Sequence, residues 1–206
     1  MINVKDLLED YYSISTINKE MEEIKSMRLN AENDNEASLI LLKRCVKNKH
    51  LGFLHLKKED KETFVTHIAR KLQEGGILLT TYRNFEQLYG AVEKLIGSEK
   101  GIGDLMLYDI ARMIGYSMQP TVLPVKLVYL QSGAKTGAKT LLGLKRVGRT
   151  LPTSAFYNYF PTEDSQHIED ILCIYKKDFE DVFFVAKTIV GCGKTRIKYP
   201  NNRRCK

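Results

Sequence analysis

The chain has 206 residues, which predicts one domain or one domain with a small appendage. Its hydrophobic fraction of 43% is sufficient for a core, so global disorder is excluded. No stretch approaches the roughly 20 apolar residues of a transmembrane helix, and the charged N-terminus lacks the order of a secretion signal, so we expect a cytoplasmic protein with no membrane partner. The formal net charge of +7 is compatible with an anionic partner.

The first part of the chain is predicted to form three helices, over residues 5–30, 37–47 and about 57–74. Residues 5–30 are rich in Glu, Lys, Met and Leu and contain no Pro or Gly, which is typical of a continuous helix. In the third helix, Phe64, Ile68 and Leu72 fall on one face, and Gly75 and Gly76 stop it. These helices predict an N-terminal helical part over residues 1–83.

Two further amphipathic helices are predicted over about residues 84–96 and 104–114. Asn84 and Gln87 have the spacing of a capping box, which marks the start of the first of them. The second should bury one face, formed by Leu107, Ile110, Ala111 and Ile114.

The rest of the chain is less regular. Residues 125–130 are compatible with a short strand or with the start of a helix, and a late helix is predicted across residues 167–184 with Thr162 or Asp164 as its cap. We therefore expect a mainly α fold, a helical bundle with an irregular basic C-terminal part. Its parts would be residues 1–83, 84–190 and a basic tail over 191–206, with 1–190 as one compact domain in the alternative.

Acidic residues are absent from two parts of the chain. Residues 110–162 and 182–206 each contain seven Lys or Arg and no Asp or Glu. The first of these blocks holds Arg112, Lys126, Lys135, Lys139, Lys145, Arg146 and Arg149. Such blocks are typical of surfaces that bind a polyanion, but a solvated lysine-rich surface with an ordinary basic tail has the same composition.

The most informative segment is Gly101-Ile102-Gly103, which lies between the two amphipathic helices. Glycines allow a tight turn and a close approach of the backbone to another surface. The following helix would offer its free N-terminal amides to a phosphate oxygen, with Ile102 pointing inward and Lys100 at the rim. The alternative is that the glycines only close an αα-hairpin.

This segment resembles the helix-hairpin-helix family, and it is closest to the hairpin of the helix-hairpin-helix DNA glycosylases. Gly101, Ile102 and Gly103 match the turn, and Ala111 matches a later small position. The resemblance covers about residues 84–115. It implies that the turn, with Lys100, holds a DNA strand through its phosphates.

The glycosylase resemblance also implies an Asp some twenty residues beyond the hairpin and, in many members, a nucleophilic Lys early in the second helix. The sequence departs from both features, because Lys126 occupies the matching stretch and the second helix begins with Asp104-Leu-Met-Leu. Lys126 and Asp109 remain the catalytic candidates. Lys126 could form a Schiff base if its apolar neighbours lowered its pKa, whereas a solvated lysine and an ordinary helical carboxylate explain both residues without catalysis.

Two glycine-containing segments fail as ATP-binding loops. Only three residues separate Gly133 from Gly137, and Thr188 stands at the first glycine position of the motif that ends in Lys194 and Thr195. No cofactor is therefore expected. The tandem Gly-Ala-Lys-Thr of residues 133–140 could still present Lys135 and Lys139 to phosphates as an anion-binding turn, or form a flexible loop.

The cysteines and histidines predict no metal site. The sequence has no C-x-x-C pair and no H-E-x-x-H motif, and with no export signal the cysteines are expected to be reduced. The cysteines are Cys45, Cys173, Cys192 and Cys205.

These patterns lead to one main functional hypothesis and two alternatives. The main hypothesis is sequence-independent DNA binding, in repair or in a mobile element, with DNA preferred to RNA. The predicted contacts are Lys100, Gly101, Ile102, Gly103, Lys135, Lys139, Lys145, Arg146 and Arg149. The alternatives are a divergent DNA glycosylase or abasic-site lyase and a non-enzymatic module that binds an acidic protein.

Overall fold

A computed structural model describes residues 4–31, 34–47 and 58–179, and the chain is mainly helical, as the sequence predicts. The helices are α1 (Val4–Ile14), α2 (Ile17–Ala31), α3 (Asn35–Val46), α4 (Lys58–Glu74), α5 (Phe85–Ile96), α6 (Asp104–Ser117), α7 (Ser132–Leu142) and α8 (Ser165–Ile174). Two short strands, β1 (Leu127–Tyr129) and β2 (Thr150–Pro152), pair antiparallel with Val128 opposite Leu151. None of the described helices is long and apolar enough to cross a bilayer.

The chain forms two compact units. The helical unit is Thr16–Pro124, and the composite unit combines Met1–Ser15 with Val125–Lys206. The boundary expected near residue 83 lies inside the helical unit. No unit boundary falls there because helices before and after residue 83 pack on each other: α3 packs on α6, and α4 packs on α5.

Helix α6 is the central element of the helical unit. It packs against α2, α3 and α5, and every residue from Met106 to Ser117 is buried. The buried face predicted for this helix is therefore correct, but the burial extends around the whole helix. At the start of α5, Phe85 meets Tyr108 edge to face with ring centroids 5.9 Å apart, which fixes the two helices against each other.

Residues 5–30, which are expected to be helical, form two helices. Helix α1 ends at Ile14 and α2 begins at Ile17. Thr16 starts α2, since its carbonyl accepts from Glu20 N at 2.9 Å and its hydroxyl hydrogen-bonds Glu20 Oε1 at 3.1 Å. Ser and Thr hydroxyls compete with the helical backbone for hydrogen bonds, which makes Ser15-Thr16 a natural break.

Helix α1 packs within the composite unit through polar contacts to α8. Tyr11 Oη lies 2.8 Å from His167 Nδ1, and Tyr175 donates a 2.6 Å hydrogen bond to Asp10 Oδ2. The core beneath these contacts is apolar and includes Leu7, Val128, Leu141, Phe156, Ile168 and Leu172.

The helix starts predicted from capping residues are confirmed. The Asn84 side chain accepts from Gln87 N, and the Asp164 side chain accepts from the amides of Gln166 and His167. The stretch 125–130 contains a strand, β1. Helix α8 ends at Ile174 with Tyr175 as its C-cap, and residues 180–184 of the predicted late helix lie outside the described residues. The basic tail predicted over residues 191–206 lies outside the described residues.

Candidate nucleic-acid interface

The hairpin turn (residues 97–103) joins α5 to α6. Within it, Ile102 N donates to the Glu99 carbonyl at 3.0 Å, and Gly101 has φ +96°. That backbone conformation is unfavourable for residues with a Cβ, so the turn requires glycine at this position. Gly101 is exposed and Ile102 is half-buried.

Gly103 is the N-cap residue of α6. Its φ of −112° is an ordinary extended value, and its carbonyl accepts the first helical bond, from Leu107 N at 2.9 Å. As a glycine it has no side-chain acceptor for the first-turn amides. A Cβ built at Gly103 would meet nothing within 4 Å, so open space faces this end of the helix.

Glu99 fixes the hairpin turn to α4. Its carboxylate accepts from His67 Nε2 at 3.0 Å and from Lys71 Nζ. The hydrogen bonds from Lys71 and His67 hold the pKa of Glu99 below its ordinary value. The sequence alone does not reveal this role of Glu99, because no local pattern links the residue to a helix some thirty residues earlier.

The charges around the turn have both signs. Lys100 is exposed beside Gly101, and Asp104 is half-buried in the first turn of α6. The carboxylate of Asp104 opposes an incoming anion at this helix end, whereas Lys100 and the backbone amides attract it.

The tandem Gly-Ala-Lys-Thr segment is helix α7, which contradicts both the anion-binding turn and the flexible loop. Helix α7 packs closely on α8, and Ala134, Gly137, Ala138 and Leu141 are buried. A Cβ on Gly137 would lie only 2.1 Å from the Leu172 carbonyl oxygen. The repeat of four residues therefore places small residues against α8, and its internal amides are used within the helix.

The cationic side chains of the same segment lie away from that packing face. Lys135 and Lys139 are one helical turn apart and partly exposed. After α7, the side chains of Lys145, Arg146 and Arg149 are exposed, and the Arg149 carbonyl accepts from Leu130 N at 2.7 Å. The structure thus groups these five residues in the composite unit, whereas residues 100–103 belong to the helical unit.

The two catalytic candidates belong to different units. Asp109 is buried inside α6 in the helical unit, with Arg112 Nη2 3.6 Å from its Oδ1. Lys126 is exposed just before β1 in the composite unit. Their positions supply no observation in favour of a lyase or glycosylase.

The described cysteines do not form a reactive site. Burial raises the pKa of the Cys45 thiol to about 12, so this residue stays protonated near neutral pH. Cys173 is half-buried beside α7 and is not part of a disulfide. Among residues 4–31, 34–47 and 58–179, no cluster of three His, Cys, Asp or Glu could hold a metal ion, and Cys192 and Cys205 lie outside these ranges.

The candidate contacts are therefore an exposed glycine turn at the N-terminus of α6, in the helical unit, and cationic side chains on and after α7, in the composite unit. No family model, no curated protein and no solved structure matches the chain.

Proposed function

We propose that the chain binds DNA without sequence preference and that the hairpin turn holds one strand through its phosphates. The observation that carries this proposal is the exposed backbone at Gly101 and Gly103, with open space beside Gly103 at the N-terminus of α6. A phosphate oxygen there accepts amide hydrogen bonds and interacts with the positive end of the helix dipole. Lys100 adds a charge at the rim.

The turn is held in shape before any ligand arrives. Gly101 takes the backbone conformation that the turn needs, and the two hydrogen bonds of Glu99 tie the turn to α4. A preorganised contact loses less conformational entropy on binding than a flexible loop does. This supports a binding role for the turn.

The cationic group around α7 supplies a second set of phosphate contacts. Lysine and arginine contacts to the backbone carry no sequence information, and they make affinity depend strongly on salt. Binding by Lys135, Lys139, Lys145, Arg146 and Arg149 would therefore be sequence-independent.

The proposal is tested by fluorescence anisotropy of the full-length chain with a labelled duplex at low and moderate salt. We expect Gly103→Val to weaken binding while leaving the fold intact, because the backbone at Gly103 is extended and a Cβ there meets nothing. Lys100→Gln should also weaken binding. The matched control is Lys19→Gln, which removes an exposed charge from α2, an element that does not border the turn.

Unchanged affinity in both Gly103→Val and Lys100→Gln would remove the hairpin turn from the interface. Absence of binding by the wild-type chain at low salt, to DNA and to a matched RNA, would reject nucleic-acid binding as such. Tighter binding to the RNA would reject the preference for DNA.

A further inference from the structure

The helical unit contains a cavity of about 220 Å³ on the side of α2 and the end of α6. Lys25, Arg28 and Leu29 of α2 form one wall, and residues 116–121 form the other. No carboxylate belongs to these lining residues, so the charge of the cavity comes from the two cations. The proposed DNA contacts do not include any of them.

The second wall has a defined shape. The Gly115 carbonyl accepts from Val122 N at 3.0 Å and from Met118 N at 3.3 Å, which folds the segment after α6 back on the helix. A Cβ on Gly115 would lie 2.1 Å from the Val122 carbonyl oxygen. The close approach holds Gln119, Pro120 and Thr121 at the exposed mouth of the cavity.

Arg28 has donors that the described residues leave unused. Its Nη2 donates to the Leu78 carbonyl at 3.3 Å, which holds the guanidinium in place. Its Nε is shielded from solvent and has no hydrogen-bond partner among the described residues. This N–H is shielded from solvent, so a ligand oxygen of similar size does not reach it either. Arg28 nevertheless lines the cavity, and no described carboxylate forms a salt bridge with it, so its guanidinium charge is available to an anion there.

Lys25 places a second cation on the same wall. Its Nζ lies 3.2 Å from Glu22 Oε1, and Glu22 is the more exposed partner, with 70% of its side chain accessible. An exposed pair of this kind is weak, so the lysine can turn to a ligand at small cost. Leu29, with 68% of its surface exposed, and Met118 add apolar surface beside the two cations.

We propose that this cavity binds a small phosphomonoester, with its phosphate on Arg28 and Lys25 and its apolar part against Leu29 and Met118. Two cations match a phosphate dianion, and an arginine held by a carbonyl presents the fixed donor geometry that phosphate oxygens accept. The volume is below the roughly 300 Å³ at which pockets for drug-sized ligands begin, which limits the ligand to about one sugar phosphate or nucleotide unit. The phosphate belongs either to a free small molecule or to the 5′ end of a nucleic-acid strand.

Isothermal titration calorimetry with the full-length chain tests this site, using ribose 5-phosphate and, as the uncharged comparison, ribose. We expect binding of ribose 5-phosphate alone, weakened about tenfold or more by Arg28→Gln and by Lys25→Gln, since each removes a charge-assisted contact. Lys25→Gln disturbs only an exposed pair and keeps the test valid if Arg28→Gln impairs folding. Lys19→Gln, an exposed lysine on the same helix, should leave the affinity unchanged.

A second titration identifies the source of the phosphate by comparing a short oligonucleotide with a 5′-phosphate and the same strand with a 5′-hydroxyl. One outcome is that the chain binds the phosphorylated strand more tightly, and that this preference is lost in Lys25→Gln but kept in Gly103→Val. That result would show that the cavity binds the 5′ ends of strands. If the two strands bind equally while ribose 5-phosphate still binds, the cavity takes a free small molecule and not a strand end. The proposal is overturned if neither ribose 5-phosphate nor the 5′-phosphate binds. It is also overturned if both Arg28→Gln and Lys25→Gln leave the binding intact, and neither outcome affects the proposed role of the hairpin turn.

Discussion

Gly137 shows how one residue decides the meaning of a whole motif. The tandem Gly-Ala-Lys-Thr looks like phosphate-binding backbone in the sequence, but its glycine is required because the Leu172 carbonyl lies where a Cβ would be. The sequence does contain the relevant signal, which is the spacing of four between Gly133, Ala134 and Gly137, Ala138. Small residues at this spacing line one face of a helix and allow close helix packing. A glycine-rich composition had favoured a loop.

We expect Gly137→Ala to lower the free energy of unfolding by roughly 1–3 kcal/mol, the usual cost of overpacking. The added methyl group would meet backbone atoms of α8, which cannot move aside as a side chain can. Urea denaturation followed by circular dichroism measures the change. Gly90→Ala in α5 is the matched control, because its Cβ meets nothing within 4 Å, and it should stabilise by about 0.5–1 kcal/mol. Equal effects of the two substitutions would contradict the packing of α7 on α8.

Among the elements, α5 and α6 with the turn between them could be predicted in most respects from the sequence. The Asn84 cap, the apolar faces and the position of the glycines are local signals, and each of them has its effect within one or two helical turns. The limits of the other helices were harder to predict. The break at Ser15-Thr16 has a local signal in its Ser and Thr residues, but the assignment of the two helices to different units depends on tertiary packing.

The anchor of the hairpin turn could not be predicted, because it depends on how α4 lies beside the turn. Glu99 meets His67 and Lys71 there, and no spacing rule relates residues this far apart in the chain. Local sequence patterns therefore predict the position of the turn. The contact of Glu99 with α4, which holds the turn in place, depends on tertiary packing.

Glu99→Gln should lower the melting temperature at neutral pH and also weaken DNA binding, because it loosens the turn. The pKa of Glu99 is lowered in the folded chain, so its stabilising effect is present above the ordinary value of 4.5 and is lost as the pH falls toward the lower folded value. The difference in melting temperature between wild type and variant should therefore shrink below about pH 4.5. Glu74→Gln, which removes an exposed carboxylate at the end of α4, is the control. A difference that persists unchanged into acid would contradict the ionic role of Glu99.

At the scale of the whole molecule, the two ends of the described chain meet in one unit. Helix α1 contacts α8 through Tyr11 and His167, which are 156 residues apart. Sequence patterns describe neighbours within one element. They therefore could not show that Met1–Ser15 belongs to the same unit as the C-terminal part of the chain. The division expected at residue 83 followed the predicted helices along the chain, whereas the observed units follow the contacts between elements.

The distribution of charge between the units leads to the last prediction. If Lys135 and Lys139 each contact a phosphate, the double variant Lys135→Gln, Lys139→Gln should lower the slope of log affinity against log salt by about 1.8, since each contact to duplex DNA contributes about 0.9. Both side chains lie off the buried face of α7, so the fold should be kept. Anisotropy titrations across a salt series measure the slope.

The control for this slope is the double variant Lys19→Gln, Lys94→Gln, which removes the same charge from exposed positions of the helical unit. A general electrostatic attraction would respond equally to both double variants, because it depends on net charge and not on position. A larger loss of slope for the α7 pair would show that phosphates are contacted there. If the two double variants lower the slope equally, α7 makes no specific phosphate contact. The hairpin turn would then remain the proposed contact, and α7 would serve only to pack against α8.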